Sequence, residues 1–330
     1  MNKLHFSFDV IQEFIGDINI TDINYNGKDI WVDHLLKGRI HYENFADYDT
    51  FYNLCVRFSN TVNLPFNQHN PLIESDFNDL RISIIHPSVS GRLSLSIRKT
   101  PSVMRMSEES IIDADYISKS GLKFLKYIVQ CRCNIMISGM PGAGKTELLK
   151  FLTTYIPSHE RVISIEDSYE VRYQDLHPNR DCVSLKINER FTYEDAIKAS
   201  LRQRPNWILV SEIRGSEVKT LLNSIATGTH LISTIHAKDA HEIPNRMLNM
   251  IPDIDLSSLQ VLSQLKEVLD IGIHIDIVVK DSGIKRYIRE IVAFDGDDGM
   301  VVYHHHNKKL VRSLPDKVKE RAKLFDVVFA

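Results

Sequence analysis

Two kinds of hydrophobic pattern divide the chain near Val103. Before that point, apolar and polar residues alternate over short stretches, which is typical of half-buried strands. The alternation predicts strands at 22–32, 79–85 and 91–99, and helical spacing predicts a helix at 48–60. Asn26-Gly27 fits the centre of a type I′ hairpin turn. We therefore predict a small α+β amino-terminal domain over residues 1–103.

The remaining residues, 104–330, combine apolar runs with helical patterns. The apolar runs predict buried strands at 134–138, 161–165, 207–213 and 231–235. Helical spacing follows them at 146–155, 193–202, 215–225 and 239–250. Because strands and helices alternate, we predict a parallel-rich sheet with helices on both faces. A strand meander at 271–280, 285–294 and 300–305 and a helix at 315–324 complete this domain.

The segment Lys99–Ser110 lacks periodicity, is polar and contains Pro101, so we predict that it connects the two domains. Composition narrows the class of protein: 43% apolar and 25% charged residues exclude a disordered chain, a collagen or a coiled coil. The net charge of −3 gives no global attraction to DNA or to anionic membrane. Without a signal peptide or an apolar run near ~20 residues, the sequence predicts a cytoplasmic protein with peripheral membrane association only.

Two clusters of metal-ligand residue types are weak candidates for a metal site. Cys131 and Cys133 are spaced too closely for a usual zinc pair and lack a second pair, so buried or reduced thiols are the favoured interpretation. The run 304–306 holds three histidines. Consecutive strand residues point to opposite faces, so at most two of them can hold one ion, and a solvated strand end is favoured.

A phosphate-binding loop is the most specific motif of the sequence. The stretch GMPGAGKT, Gly139–Thr146, fits G-x-x-x-x-G-K-[ST] and lies between a predicted strand and a predicted helix. Its backbone N–H groups would cradle phosphate oxygens, Lys145 would reach the β- and γ-phosphates, and Thr146 would bind Mg²⁺. The predicted ATP-binding residues are Gly139, Met140, Pro141, Gly142, Ala143, Gly144, Lys145, Thr146 and Glu147.

Hydrolysis also requires a carboxylate to position water, and Glu212 at the end of strand 207–213 meets that requirement. A solvated glutamate at a strand end is the alternative. Glu166 and Asp167 end another strand, with Glu170 close behind, and would hold the metal through water or orient Glu212; otherwise they form a polar strand exit. His236 would contact the γ-phosphate, unless it is a structural histidine. The predicted magnesium residues are Thr146, Glu166, Asp167 and Glu212.

These motifs, taken in order, resemble the secretion ATPase superfamily of type II and type IV secretion, conjugation and pilus machines. The resemblance rests on RVISIEDSYE, SLRQRPNWILVSEIRG and ISTIHA after the phosphate loop. In the first domain, INYNGKDIWV, DLRISIIHP and LSLSIRK resemble the type IV secretion and conjugation branch. The resemblance spans most of the chain. The expected fold is a RecA-like P-loop NTPase domain preceded by a smaller α+β domain for nucleotide sensing and oligomerisation.

The resemblance also implies roles for particular residues. Glu212 falls on the catalytic glutamate, His236 on the histidine box, and Glu166, Asp167 and Glu170 on the acidic box. Arg81 and Arg98 fall on amino-domain arginines that reach the nucleotide phosphates in this family. The predicted catalytic set is Glu212, Lys145, His236, Glu166, Arg98 and Arg81. Arg202, Arg204 and Arg214 match basic positions around the glutamate strand.

The function implied is that of a homohexameric motor at the cytoplasmic face of a membrane. It would dock on inner-membrane secretion-channel proteins, hydrolyse ATP and move DNA or protein indirectly, without sequence-specific nucleic-acid binding. The sequence departs from the family pattern at Asn206, Ser211 and the segment Thr227–His230. Three alternatives stay open: a nucleotide-gated assembly component with negligible turnover, a type II secretion or pilus motor, and a DNA translocase.

Overall fold

The computed structural model describes residues 5–252, 257–280, 283–295, 299–311 and 313–329. The chain forms two compact units. The first comprises residues 1–101 together with 279–285, and the second comprises residues 102–278 and 286–330. The division at 101–102 lies close to the predicted boundary near Val103. Residues 279–285, predicted to belong to the second domain, instead pack with the first.

The amino-terminal unit is a six-stranded antiparallel sheet with one long helix. The strands are β1 Ile20–Tyr25, β2 Ile30–His34, β3 Gly38–Tyr42, β4 Leu72–Phe77, β5 Leu80–Ile85 and β6 Ser94–Lys99. They lie in the order β3-β2-β1-β6-β5-β4. The helices are α1 Gln12–Gly16, α2 Tyr48–Thr61 and α3 Pro87–Ser90. The predicted helix and strands are confirmed, whereas β3 and β4 were not predicted.

Alternation along the strands explains how this unit forms its core. Inward residues of β5 and β6 are buried and their neighbours face outward, as period-2 patterning requires. The helix α2 begins where the Asp47 side chain accepts a hydrogen bond from the Thr50 N–H, and it packs Phe51 and Phe58 onto the sheet. Burial of these apolar faces is the main driving force for the unit.

The hairpin turn after β1 differs from the predicted type I′ geometry. Gly27 has a φ of 88°, while Asn26 and Lys28 are not among the described residues with positive φ. A type I′ turn needs positive φ at both central residues, so the predicted centre at Asn26-Gly27 is wrong. Asn26 N–H donates to the Asp29 carbonyl oxygen, and Gly27 and Lys28 lie between them. Asn26 lies one position earlier and accepts hydrogen bonds from the N–H groups of Lys28 and Asp29 through its side chain. That local side-chain bonding favours the shifted turn.

The second unit contains a nine-stranded sheet in the order β15-β14-β13-β12-β7-β11-β10-β8-β9. The six strands from β12 to β9 in that order pair in parallel, and β13, β14 and β15 pair antiparallel to one another. Their bounds are β7 Ile135–Gly139, β8 Val162–Glu166, β9 Cys182–Lys186, β10 Trp207–Val210, β11 His230–Ile235, β12 Ile271–Lys280, β13 Gly283–Ala293, β14 Met300–His304 and β15 Lys309–Leu310. The parallel-rich sheet is confirmed.

Helices cover both faces of this sheet. They are α4 Glu108–Asp113, α5 Lys119–Gln130, α6 Lys145–Thr153, α7 Tyr173–Leu176, α8 Tyr193–Leu201, α9 Glu217–Ala226, α10 Ile243–Leu248, α11 Ser258–Val268 and α12 Asp316–Leu324. One apolar core joins the sheet to α5, α6 and α12, and a second joins its other face to α8, α9, α10 and α11. Strands buried on both faces explain the continuous apolar runs of the sequence. In the described residues, no helix combines the length and apolar character needed to cross a membrane.

A buried carboxylate ties α12 to the start of the phosphate-loop strand. Asp270 is fully buried and accepts a hydrogen bond from the Asn134 N–H at 2.6 Å. Its oxygens also lie 3.3 Å from Lys317 Nζ and 2.8 Å from Arg321 Nη2, both on α12. A buried charge is tolerated only with such partners, so α12 is an integral part of the core.

At the amino end of β11, His230 packs edge-on against the rings of Trp207 and Phe325, with centroids at 5.3 and 5.6 Å. Burial, together with the charges of Arg321 and Arg132, lowers the pKa of His230 to about 4. The ring lies at the opposite end of its strand from His236. His230 therefore has a packing role in this unit.

We predict that His230→Phe reduces the acid sensitivity of the fold. The folded pKa lies below the unfolded value, so the unfolded state binds more protons and stability falls as pH drops from about 6.5 towards 4. Between pH 7 and pH 5 the variant should lose roughly 1–2 kcal/mol less than wild type. Urea unfolding followed by tryptophan fluorescence measures this. Exposed His69→Gln is the control, and equal pH dependence of both variants and wild type would contradict the prediction.

Candidate functional site

The phosphate loop leaves β7 at Gly139 and enters α6 at Lys145. Gly139, Gly142 and Gly144 have φ values of 153°, 77° and 91°, which side chains rarely adopt. Gly139 also passes so close to β12 that an added Cβ would lie 2.6 Å from the Ile275 carbonyl oxygen. The predicted loop therefore has the backbone of a phosphate cradle, and glycine is required where the strand ends.

Lys145 folds back over its own loop. Its Nζ donates to the carbonyl oxygens of Gly139 at 3.0 Å and Met140 at 3.4 Å, and it lies 3.4 Å from His236 Nδ1. Burial lowers the pKa of this ammonium, and the charge of Glu212 opposes that shift. The lysine is thus held at the mouth of the cradle, where phosphate oxygens are expected.

The structure brings the other predicted catalytic groups to the same edge of the sheet. Glu212 Oε1 lies 2.7 Å from His236 Nε2. Its Oε2 accepts hydrogen bonds from Arg214 Nε at 2.7 Å and Nη2 at 2.5 Å. Burial lowers the pKa of His236, and the charge of Lys145 adds to the effect. A continuous chain of contacts therefore runs from Arg214 through Glu212 and His236 to Lys145.

The three acidic residues after β8 point in different directions. Asp167 Oδ2 accepts a hydrogen bond from Arg214 Nη1 at 2.9 Å, and Glu170 Oε2 accepts one from Thr146 Oγ1 at 3.2 Å. Glu166 turns inward: its side chain is fully buried and its Oε2 accepts hydrogen bonds from the N–H groups of Glu170 and Val171. Glu166 therefore holds the loop that presents Glu170, and its predicted contact with the metal stays a prediction.

The donor set beside the cradle suits a magnesium nucleotide. The Thr146 hydroxyl and the Glu170 carboxylate are the oxygen ligands that Mg²⁺ prefers, directly or through water. Among the described residues, no group of three or more His, Cys, Asp or Glu side chains is placed to hold a metal alone. That finding matches the usual binding of Mg²⁺ by few protein ligands together with the phosphates of a nucleotide.

Arg81 and Arg98 belong to the amino-terminal unit. They lie opposite each other on β5 and β6, both exposed, and Arg98 Nε donates to Asp22 Oδ1 at 2.9 Å. Two like charges side by side on a sheet repel each other, and the Asp22 carboxylate offsets that repulsion. Their predicted contact with nucleotide phosphates remains a prediction.

Sequence reasoning missed two arginines, Arg286 and Arg105, that contact the cradle and its helix. Arg286 at the start of β13 donates from Nε to the Gly142 carbonyl oxygen at 2.9 Å. Glu147, predicted to bind nucleotide, lies 3.1 Å from Lys150 Nζ and 4.0 Å from Arg105 Nη1. The contacts of Arg286 with Gly142 and of Arg105 with Glu147 join residues far apart in the chain, and periodicity carries no signal for them.

Residues that depart from the family pattern have defined roles. Asn206 binds the backbone of Arg161 through its side chain and N–H, and its carbonyl accepts the His230 N–H, so it joins the starts of three strands. Ser211 Oγ lies 3.3 Å from the Tyr193 hydroxyl. Neither residue replaces a group that contacts the cradle.

The remaining metal candidates lie outside this site. Cys131 and Cys133 are buried free thiols, and burial raises the pKa of Cys131 to about 11. The rings of His304 and His306 stack at 5.2 Å, while His305 contacts Asp115 and Tyr287 instead. His305 and His306 lie in the turn after β14 and not on the strand, so the predicted alternation of strand faces does not apply to them.

Comparison with known proteins decides the family. Residues 67–271 match the family model described as Type II/IV secretion system protein. The chain belongs to this secretion family. The RecA-like fold and the resemblance to secretion ATPases predicted from sequence are therefore confirmed.

Individual relatives and a solved structure resemble this chain to different extents. An uncharacterised protein of Bacillus anthracis is 29% identical over 310 residues, which are 89% of this chain and 69% of that protein. The type IV secretion system protein PtlH of Bordetella pertussis is 31% identical over 184 residues, which are 52% of this chain and 53% of PtlH. The X-ray structure of the Yersinia pseudotuberculosis ATPase DotB is 15% identical, with a TM-score of 0.65 over 99% of this chain and 90% of DotB. DotB shares the fold.

We predict that Glu170 and Glu166 respond differently to substitution. Glu170→Gln should weaken the magnesium-dependent part of ADP binding by about tenfold, because a carboxylate beside the Thr146 hydroxyl is lost. Glu166→Gln keeps an oxygen for the two backbone N–H groups and should change that affinity by less than about twofold. Calorimetric titration of ADP with and without Mg²⁺ measures both. Equal losses of magnesium-dependent ADP affinity in the two variants would indicate that Glu166 contacts the metal.

Proposed function

We propose that this secretion family member is a magnesium-dependent ATPase that powers a type IV secretion or conjugation system as a hexameric ring. The observation that supports the proposal most is the contact chain in which Glu212 meets His236 and His236 meets Lys145 of the phosphate cradle. A carboxylate at a strand end beside a cradle lysine is the arrangement needed to position water against a γ-phosphate.

In the proposed reaction, Glu212 orients a water molecule for in-line attack on the γ-phosphoryl group and accepts its proton. Lys145 and the backbone N–H groups of the loop stabilise the charge that develops on the phosphoryl oxygens. Mg²⁺, held by Thr146 with Glu170 beside it, would neutralise charge on the β- and γ-phosphates. Arg214 donates three hydrogen bonds to Glu212 and Asp167 and so fixes their positions. The Glu212 carboxylate is therefore oriented before the reaction begins.

His236 is the proposed reporter of the γ-phosphate. Its imidazole contacts both Glu212 and Lys145, so a ligand that displaces either contact moves the histidine. Arg81 and Arg98 would supply positive charge from the amino-terminal unit when nucleotide is bound. Release of phosphate would then free that unit, and this cycle would perform mechanical work on channel proteins at the cytoplasmic face of a membrane.

We predict that Glu212→Gln retains ATP binding and lowers phosphate release by at least about a hundredfold, because the amide cannot accept the proton of the attacking water. Lys145→Ala should weaken nucleotide binding as well as turnover. Phosphate release and nucleotide titration measure these effects, beside a sizing measurement with Mg-ATP. Glu189→Gln changes an exposed carboxylate outside the site and is the matched control.

Each outcome separates the candidate functions. Release by wild type alone, from a ring-sized species, supports the motor. Nucleotide binding without release from either protein would favour a nucleotide-gated assembly component. Near-normal release by Glu212→Gln would exclude the proposed role of Glu212.

We predict that Arg81→Ala and Arg98→Ala each lower kcat by roughly tenfold while leaving ADP affinity within about twofold, because their charges act on the γ-phosphate end of the substrate. Arg98 is exposed and its ion pair with Asp22 contributes little stability, so the variant should fold. Arg92→Ala, another exposed arginine of the same unit, is the control. Steady-state kinetics measure the effect. If both variants keep the kcat of wild type, the proposed action of these two arginines on the γ-phosphate is wrong.

A further inference from the structure

Strands β12 and β13 are shared between the two units. They are neighbours in the large sheet, and their described middle residues, 279–280 and 283–285, belong to the amino-terminal unit. We call residues 271–293 the ribbon. Within the amino-terminal unit, the Ile284 N–H donates to the Leu36 carbonyl oxygen at 3.3 Å. Gly283, with a φ of 119°, lies so close that an added Cβ would meet the same oxygen at 2.5 Å.

The part of the ribbon in the second unit holds the loop that follows His236. Glu290 is buried, and its Oε1 accepts a hydrogen bond from the Ala240 N–H at 3.0 Å. The same oxygen lies 3.3 Å from Arg289 Nη2, which also lies 3.5 Å from the Lys238 carbonyl oxygen. Two successive ribbon residues therefore hold the loop at two points, within four residues of the histidine.

The ribbon holds the phosphate loop as well. His274 Nδ1 lies 2.9 Å from Ser138 Oγ, immediately before Gly139, and Arg286 donates to the Gly142 carbonyl oxygen. Gly139 itself approaches the Ile275 carbonyl oxygen closely. The two loops that face the nucleotide site are thus both attached to one pair of strands.

Because Glu290 is buried, its hydrogen bonds to the loop are costly to break. A carboxylate removed from water needs its hydrogen-bond partners, so separating Glu290 from Ala240 or Arg289 leaves a buried charge under-satisfied. The loop and the ribbon are therefore expected to move together. Arg289 Nη1 also lies 3.6 Å from Asp276 Oδ1, which ties β13 to β12 at the same level.

We propose that Glu290 and Arg289 are positioning residues for His236, and that the ribbon makes γ-phosphate recognition depend on how the amino-terminal unit holds residues 279–285. The proposal rests on the proposed function, because it assigns a regulatory connection to the same site. Its readout is γ-phosphate discrimination, the ratio of affinities for the slowly hydrolysed analogue ATPγS and for ADP.

The first test compares substitutions at Glu290. Glu290→Ala removes the acceptor of the Ala240 N–H and should lower γ-phosphate discrimination and kcat by roughly two- to thirtyfold, with ADP affinity nearly unchanged. Glu290→Gln retains an oxygen at that position and should recover most of the loss. Equal weakening of ATPγS and ADP by Glu290→Ala would show a merely structural residue and overturn the positioning role.

The second test acts on the ribbon from the amino-terminal unit. Gly283→Ala must displace the contact with Leu36 and should lower discrimination in the same direction as Glu290→Ala. Gly91→Ala is the matched control, because Gly91 lies in the same unit with a φ of 73° and has no neighbour within 4 Å of an added Cβ. Discrimination that is the same in Gly283→Ala, Gly91→Ala and wild type would overturn the connection.

The two proposals fail in different ways. If wild-type protein releases no phosphate while discrimination responds as expected, hydrolysis is refuted and the ribbon connection stands. If wild type releases phosphate and neither Glu290→Ala nor Gly283→Ala changes discrimination, the ribbon connection alone is refuted. Thermal unfolding of each variant confirms that the compared proteins are folded.

Discussion

Parallel pairing of β7, β8, β10 and β11 is the constraint on which the candidate site depends. Parallel strands place all their carboxyl ends at one edge of the sheet, and side chains that follow those ends meet there. The phosphate loop, the acidic residues after β8, Glu212 and His236 come from separate parts of the chain and converge for this reason. The apolar cores on both faces fix the strand positions, so the spacing of the polar groups follows from packing of the interior.

Within that edge, the charged groups around Glu212 form a connected network. Arg214 bridges two carboxylates on neighbouring strands, and Lys145 lies beside a histidine that in turn contacts Glu212. Such a network orients its members in advance, which lowers the cost of reaching a reactive geometry. It also means that an incoming phosphate competes with existing partners, and binding can therefore rearrange the network.

The sequence was informative wherever function depends on local backbone or strand position. The phosphate-loop motif accounts for positive φ at Gly142 and Gly144. The pattern of apolar runs accounts for the placement of Glu212 after β10 and of His236 after β11. The direction of a carboxylate near a strand end does not, because it depends on which donors lie within reach: backbone N–H groups for Glu166 and the Thr146 hydroxyl for Glu170. Arg286 and Glu290 contact loops more than forty residues away in sequence, and alternation along a strand says only which face they occupy. Packing of residues 279–285 with the first unit is likewise a long-range outcome.

The carboxylate of Asp270 has a consequence for how the chain is made. Its cationic partners, Lys317 and Arg321, are synthesised well after Asp270, whereas its backbone partner Asn134, directly before the strand that carries the phosphate loop, is synthesised well before it. Until α12 emerges from the ribosome, the strand and the carboxylate face each other without the cations that neutralise them. Completion of the nucleotide-binding core is therefore coupled to synthesis of α12, and a chain without α12 would retain an uncompensated buried carboxylate beside the start of β7.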